Sequence, residues 1–195
     1  MRIAAAIVAL VALASLAGQW VVSAGAMVDA SPAAVVWRML GYLTILGNLT
    51  TLILMARTAV TGTITAQTAA VMTVIMAVVG LAYHILLAGI WKPVGFAWWA
   101  DQGLHSAVTV LVALWWVAYA PKSGLAGRDA FKWLVWPIGY GAYALARGSV
   151  SGFYPYPFMD VSVLGMSQVL VNLAGLSVAF IALSLLMIGI ARVIR

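Results

Sequence analysis

The chain has 195 residues, of which 66% are hydrophobic and 7% charged, with a mean hydropathy of +1.12. Ordinary globular chains carry about 25% charged residues, so a soluble domain is excluded and an all-α, polytopic membrane protein is expected. The net charge of +6 sits on basic residues standing singly between apolar runs, which reads as topology and not as nucleic-acid binding, and the absence of cysteine excludes a disulfide framework, a thiol nucleophile and a thiolate metal site.

The first apolar run, Ile3 to Val22, meets the requirement of about 20 residues for a span. Arg2, this stretch and the small residues Ser23-Ala24-Gly25-Ala26 also fit a secretory signal. The run is longer than an ordinary signal core, however, and a retained helix is expected. Asp29-Ala30-Ser31-Pro32 makes a turn, and helix two is expected from Val36 to Val60. Thr44, Asn48 and Thr51 fall on one face of it, at i, i+4 and i+7. Helix three is expected over Thr68–Ile90, carrying His84, and Trp91-Lys92-Pro93 ends it.

Trp98 and Trp99 read as interfacial anchors before helix four, Gln102–Tyr119. At its mouth Asp101 and His105 stand four residues apart, on one helical face. Helix five is expected over Phe131–Ala146 with a kink at Pro137, followed by a long loop, Arg147–Met166, dense in Gly, Pro and aromatics. Helix six runs over Gln168–Ile190 and is followed by Arg192 and Arg195.

Six spans put both termini on one side. Arg2, Arg57, Lys122, Arg128, Lys132, Arg192 and Arg195 share that side, against Arg38, Lys92 and Arg147 opposite, which makes it cytoplasmic. Thr44, His84, Asp101, His105, Arg147 and Asp160 then all fall in or near the outer leaflet. Ionisable groups in a span are costly and tend to face a functional interior, so this level of the membrane is the candidate site.

Each feature also has a plainer explanation. A threonine in a span commonly bonds its own i−4 carbonyl, and Gly41 and Gly47 read most simply as close-packing positions. Thr44 with Asn48 is more informative, since a buried asparagine needs a partner. His84 has no polar neighbour at i±4 and serves equally well as interhelical glue. Gln168 and Asn172, i and i+4 on helix six, suit either a second wall of the site or simple helix–helix bonding. Arg147 marks the end of helix five and is a candidate anion contact; Tyr140, Tyr156 and Trp98 are candidates to line a substrate path. His84, Asp101, His105 and Asp160 include metal-ligand types, but no tight ligand motif is present, and neither a metal nor a cofactor is expected.

Three segments carry a family resemblance: Trp37-Arg38-Met39-Leu40-Gly41-Tyr42-Leu43-Thr44, then Asp101-Gln102-Gly103-Leu104-His105, then Tyr154-Pro155-Tyr156-Pro157-Phe158-Met159-Asp160. In that order they resemble the androgen-induced/ADTRP-like integral membrane family, and more closely its short bacterial branch. The run Arg147 to Asp160 is the most specific, and the match extends from helix two to helix six. The resemblance implies a six-helix hydrolase of fatty acid esters of hydroxy fatty acids in a bacterial inner membrane, taking its lipid substrate from the bilayer. It also implies a threonine nucleophile and a histidine base, which fall on Thr44 and His105. The sequence departs from the family in its very short cytoplasmic loops and in the residues after His105.

The expected mechanism has His105 take the Thr44 proton as the hydroxyl attacks an ester carbonyl. Asp101 or Asp160 would orient the imidazole, Asn48 or Asn172 would donate to the oxyanion, and the Tyr-Pro-rich loop would serve as a lid. The alternative is a non-catalytic membrane protein that binds or transports a lipid or solute.

Overall fold

The structure is a computed structural model and describes residues 1–27 and 29–194. Among the described residues it is all helical, without strands, and five helices are long and apolar enough to cross a membrane. The chain divides into two compact units, Met1–Ser123 and the segment from Gly124 onward.

In the first unit, α1 (Arg2–Ala26) packs along α3 (Leu43–Thr61). Arg2 donates to Thr61 O at 3.0 Å, placing a cation on the carbonyl end of α3, where the helix dipole favours it. The two helices are therefore antiparallel. Between them α2 (Pro32–Met39) starts at Ser31, whose hydroxyl accepts from Ala34 N–H at 3.3 Å. Val35, Met39, Ile45 and Leu104 form a buried cluster against which Leu16, Trp20 and Tyr42 pack.

α4 (Ala66–Ala82) is capped by Thr65 and lies against α3, where Gly47 admits Ile75, Met76 and Val79. It continues as a π turn, Tyr83–Leu87. The last span of the unit comprises α5 (Phe96–Gln102), a second π turn (Gly103–Ala107) and α6 (Val108–Tyr119). Gly103 faces Ser15 of α1 so closely that a Cβ there would collide with the hydroxyl. Outward residues such as Ile53, Val60, Ile85, Val110 and Leu114 are exposed and apolar, as the lipid-facing side of a span requires.

In the second unit, α7 (Asp129–Lys132) leads into α8 (Val135–Ser151), and a 3₁₀ turn (Pro157–Met159) precedes α9 (Val161–Val193). Asp129 accepts from Ala126 N–H at 2.9 Å and from Lys132 Nζ at 3.1 Å, closing the loop before α7.

The observed boundaries correct several expectations. Helix two is broken: α2 ends at Met39, and Gly41 and Tyr42 N–H bond back to Arg38 and Met39 O before an extended Tyr42 starts α3. Thr44 therefore lies in the first turn of α3 and not well inside a helix. Helix four begins at Phe96, so Asp101 and His105 are inside the span and not at its mouth. The helix expected over Phe131–Ala146 is interrupted at Trp133 and Leu134, between α7 and α8 and one turn before Pro137. Pro137 has no N–H to give the carbonyl four residues earlier, and Trp133 O accepts from Trp136 N–H at 3.1 Å instead. A further interruption falls at Gly165 of α9, whose φ of 76° and ψ of 155° suit only glycine.

The expected Arg147–Met166 loop begins later, because α8 continues to Ser151, and it contains the 3₁₀ turn and a single helical turn before the interruption at Gly165, after which the long helix runs on. α8 has 17 residues and is not among the five helices long enough to span. Arg195, counted with the cytoplasmic charges, lies outside the described residues.

Candidate active site

Thr44 and His105 are 61 residues apart in the chain, and their side chains meet: Thr44 Oγ1 lies 3.1 Å from His105 Nε2. Two local devices bring this about. The break after Met39 starts α3 immediately before Thr44, and the π turn Gly103–Ala107 carries His105. In that turn Val108 N–H reaches back five residues to Gly103 O, which takes neighbouring carbonyls out of the ordinary i→i−4 ladder. Asp101 O lies 3.0 Å from His105 Nδ1, and Leu104 O accepts from Asn48 Nδ2 at 3.2 Å.

The surroundings of His105 Nδ1 fix the tautomer. It faces the Asp101 carbonyl oxygen at 3.0 Å and the Asp101 carboxylate Oδ1 at 3.3 Å. Both can only accept, so Nδ1 carries the proton. In the neutral ring Nε2 then holds a lone pair, and the Thr44 hydroxyl donates to it. This is the arrangement of a nucleophile, a general base and an orienting acid. The side chains of His105 and Asp101 are 12% and 8% exposed, so little water competes for these bonds.

Asn48 locks the frame on which the pair is mounted. Its amide nitrogen donates to Thr44 O at 2.8 Å within α3 and to Leu104 O at 3.2 Å across to the π turn. Both amide hydrogens are thereby committed, which corrects the expectation that Asn48 donates to an oxyanion. The amide ties the Thr44 backbone to the His105 helix.

Three residues missed in the sequence complete this site. The Tyr83 ring stacks on the His105 imidazole, with centroids 4.1 Å apart and planes 16° from parallel. Gln102 Nε2 donates to the Tyr83 hydroxyl at 3.3 Å, and the Ser106 hydroxyl donates to Gln102 Oε1 at 2.6 Å. His84 Nε2 stands 3.0 Å from Ser106 Oγ, which accounts for His84 through a partner on another helix. The i,i+4 pair Gln102/Ser106 was readable from spacing. Tyr83 was not, because helical spacing says nothing of a ring contact between two helices, each with a π turn at that level.

The remaining candidates have their own local contacts. Trp98 is on α5, partly exposed and edge-on to Trp99 at 4.7 Å. In the second unit, Arg147 is buried in the last turns of α8 and donates to the Tyr143 hydroxyl at 3.1 Å. Tyr140 and Tyr156 are buried there, with ring centroids 6.4 Å apart. Asp160 is the N-cap of α9 and accepts from Ser162 N–H at 3.0 Å; Asp101 is the carboxylate in contact with His105. Asn172 Nδ2 donates to Phe158 O at 2.9 Å, and its Oδ1 accepts from Gln168 at 3.0 Å, which ties the Tyr-Pro segment to α9. Among the described residues, no group of three or more His, Asp and Glu is placed to hold a metal ion.

Comparison with known proteins adds no relative: no family model, no curated protein and no solved structure matches the chain.

Proposed function

We propose that this protein is an intramembrane hydrolase that cleaves a lipid ester with Thr44 as nucleophile and His105 as base. The observation that carries the reading is the 3.1 Å contact between Thr44 Oγ1 and a His105 Nε2 whose opposite nitrogen is held by Asp101. A threonine hydroxyl is a weak nucleophile and needs such a base. As the hydroxyl attacks the ester carbonyl, its proton passes to Nε2 and the imidazolium is stabilised by the Asp101 carboxylate. The proton then goes to the departing alcohol, leaving the acyl group on Thr44 Oγ1. Water, deprotonated by the same nitrogen, releases the acid. Because Thr44 is in the first turn of α3, the positive end of that helix dipole supports the developing negative charge.

The environment supports a lipid substrate. The pair sits within apolar helices, so an ester reaching it comes from the bilayer, in keeping with the resemblance to the androgen-induced/ADTRP-like family and its fatty acid esters of hydroxy fatty acids. We read six spans, both termini in the cytoplasm of a bacterial inner membrane and the site in the outer leaflet. The backbone from Trp133 to Trp136 bonds α7 to α8 without an open loop, which supports counting Asp129 to Ser151 as the additional crossing. The basic residues at the Arg2 and Lys122 ends of the first unit support the orientation.

The test is hydrolysis of a fluorogenic medium-chain ester by the purified protein in detergent, with Thr44→Ala and His105→Ala alongside and a fluorophosphonate probe for covalent labelling. Loss of turnover in both variants, with labelling of the wild type at Thr44, is expected. Equal turnover in all three proteins, or no turnover and no labelling in any, overturns the hydrolase and leaves a lipid- or solute-binding protein.

A further inference from the structure

We propose that Tyr83 is the positioning residue of the Thr44–His105 pair, its ring holding the imidazole in the plane that keeps the Nε2 lone pair on the threonine hydroxyl. The catalytic consequence rests on the hydrolase reading; the ring orientation rests on geometry alone.

Hydrogen bonds at Nδ1 and Nε2 hold the imidazole at two opposite points. They leave it some play about its Cα–Cβ and Cβ–Cγ bonds, because hydrogen bonds tolerate bending. The face of Tyr83, 4.1 Å away and within 16° of parallel, removes that freedom, because any tilt drives an imidazole edge into the phenol. Tyr83 is itself 4% exposed, so the stacked ring also keeps water off one face of the base.

The fold gives Tyr83 this place by bringing α4 and α6 together at backbone distance. A Cβ on Gly80, three residues earlier, would lie 3.0 Å from His105 O and 2.9 Å from Thr109 Cγ2. Thr109 Oγ1 donates to Met76 O at 3.1 Å across the same contact. At the other end of the ring the hydroxyl accepts from Gln102 at 3.3 Å and lies beside the Asp101 carboxylate. Gln102 is held by Ser106 at 2.6 Å, and Ser106 by His84 at 3.0 Å. Since the Ser106 proton goes to Gln102 Oε1, His84 Nε2 must donate to Ser106. The second hydroxyl–imidazole pair is thus a strut for Tyr83 and not a second nucleophile and base.

The experiment uses the full chain in detergent, labelled with ¹⁵N in histidine. With two histidines in the sequence, His84→Gln assigns the spectrum. The wild type is expected to show His105 as the single Nδ1–H tautomer, its ring protons moved upfield by the phenol ring current. Tyr83→Phe is expected to keep both signatures and turn over within about threefold of wild type, while Tyr83→Leu mixes the tautomers and lowers kcat at least ~10-fold with KM changed less than ~2-fold. The unfolding midpoint in mixed detergent micelles reports whether the fold is intact in each variant. A wild type without the ring-current shift overturns the proposal. So does Tyr83→Leu with an unchanged tautomer and kcat, or Tyr83→Phe as impaired as Tyr83→Leu, which would assign the effect to the hydroxyl. A wild type that hydrolyses no ester removes the hydrolase reading, and the nitrogen spectra still decide the positioning role.

Discussion

Replacing Asp101 by Asn tests how the imidazole is supported. The substitution keeps the size of the side chain and removes its charge. In the wild type an imidazolium formed during attack would lie 3.3 Å from the carboxylate. Two unit charges at that separation attract by about 5 kcal/mol at an effective dielectric near 20 and by about 1.3 kcal/mol near 80. With both side chains only 12% and 8% exposed, the value belongs between these limits and nearer the first. At about 1.4 kcal/mol per decade, kcat should fall roughly 10²- to 10³-fold. The loss stops short of that caused by a wrong tautomer, because the Asp101 backbone carbonyl still accepts from Nδ1 at 3.0 Å. The assay is ester turnover in detergent for wild type, Asp101→Asn and His105→Ala, with KM expected to change little. A kcat within threefold of wild type would show that the carboxylate stabilises nothing in the transition state. A kcat as low as that of His105→Ala would show that the backbone carbonyl does not hold the tautomer.

Three stability predictions follow from individual contacts. Asn48→Ala removes the bonds to Thr44 O and Leu104 O and should destabilise the first unit by about 1–3 kcal/mol, read by unfolding in mixed detergent micelles; no change in midpoint would mean that the two carbonyls find other donors. Gly80→Ala forces a Cβ against His105 O and Thr109 and should cost about 1–3 kcal/mol through overpacking. It should also disturb turnover more than Gly139→Ala, a site with nothing near its Cβ. Asp160→Ala removes the cap that accepts from Ser162 N–H; by the usual loss for a cap it should cost about 0.5–2 kcal/mol and increase amide exchange at Ser162 and Val163, while Asp160→Asn should restore most of it.

Composition alone determined the class. With 66% hydrophobic and 7% charged residues, the backbone's polar groups can be satisfied in lipid only by helices or a closed barrel, and 20-residue apolar runs select helices. The approximate location of most helices followed from those runs, and the shared face of Asp101 and His105 followed from helical periodicity. Hydropathy could not find the break at Leu40 to Tyr42, because an apolar run has the same hydropathy bent or straight; only the packing of α2 and Tyr42 with Ile45 and Leu104 makes it visible. It could not find the π turns either, since one residue of extra register changes no composition.

Those local departures are what build the candidate site. One starts α3 immediately before Thr44, another carries His105, and Gly80 lets α4 close in until Tyr83 lies on the imidazole. Sequence spacing put Thr44 and Asn48 on one helical face and Asp101 and His105 on another. That the two faces meet at 3.1 Å, that Nδ1 faces only acceptors and that Asn48 spends its amide on backbone carbonyls were decided by tertiary structure. Each depends on where a second helix stands, and intrahelical periodicity carries no information about that.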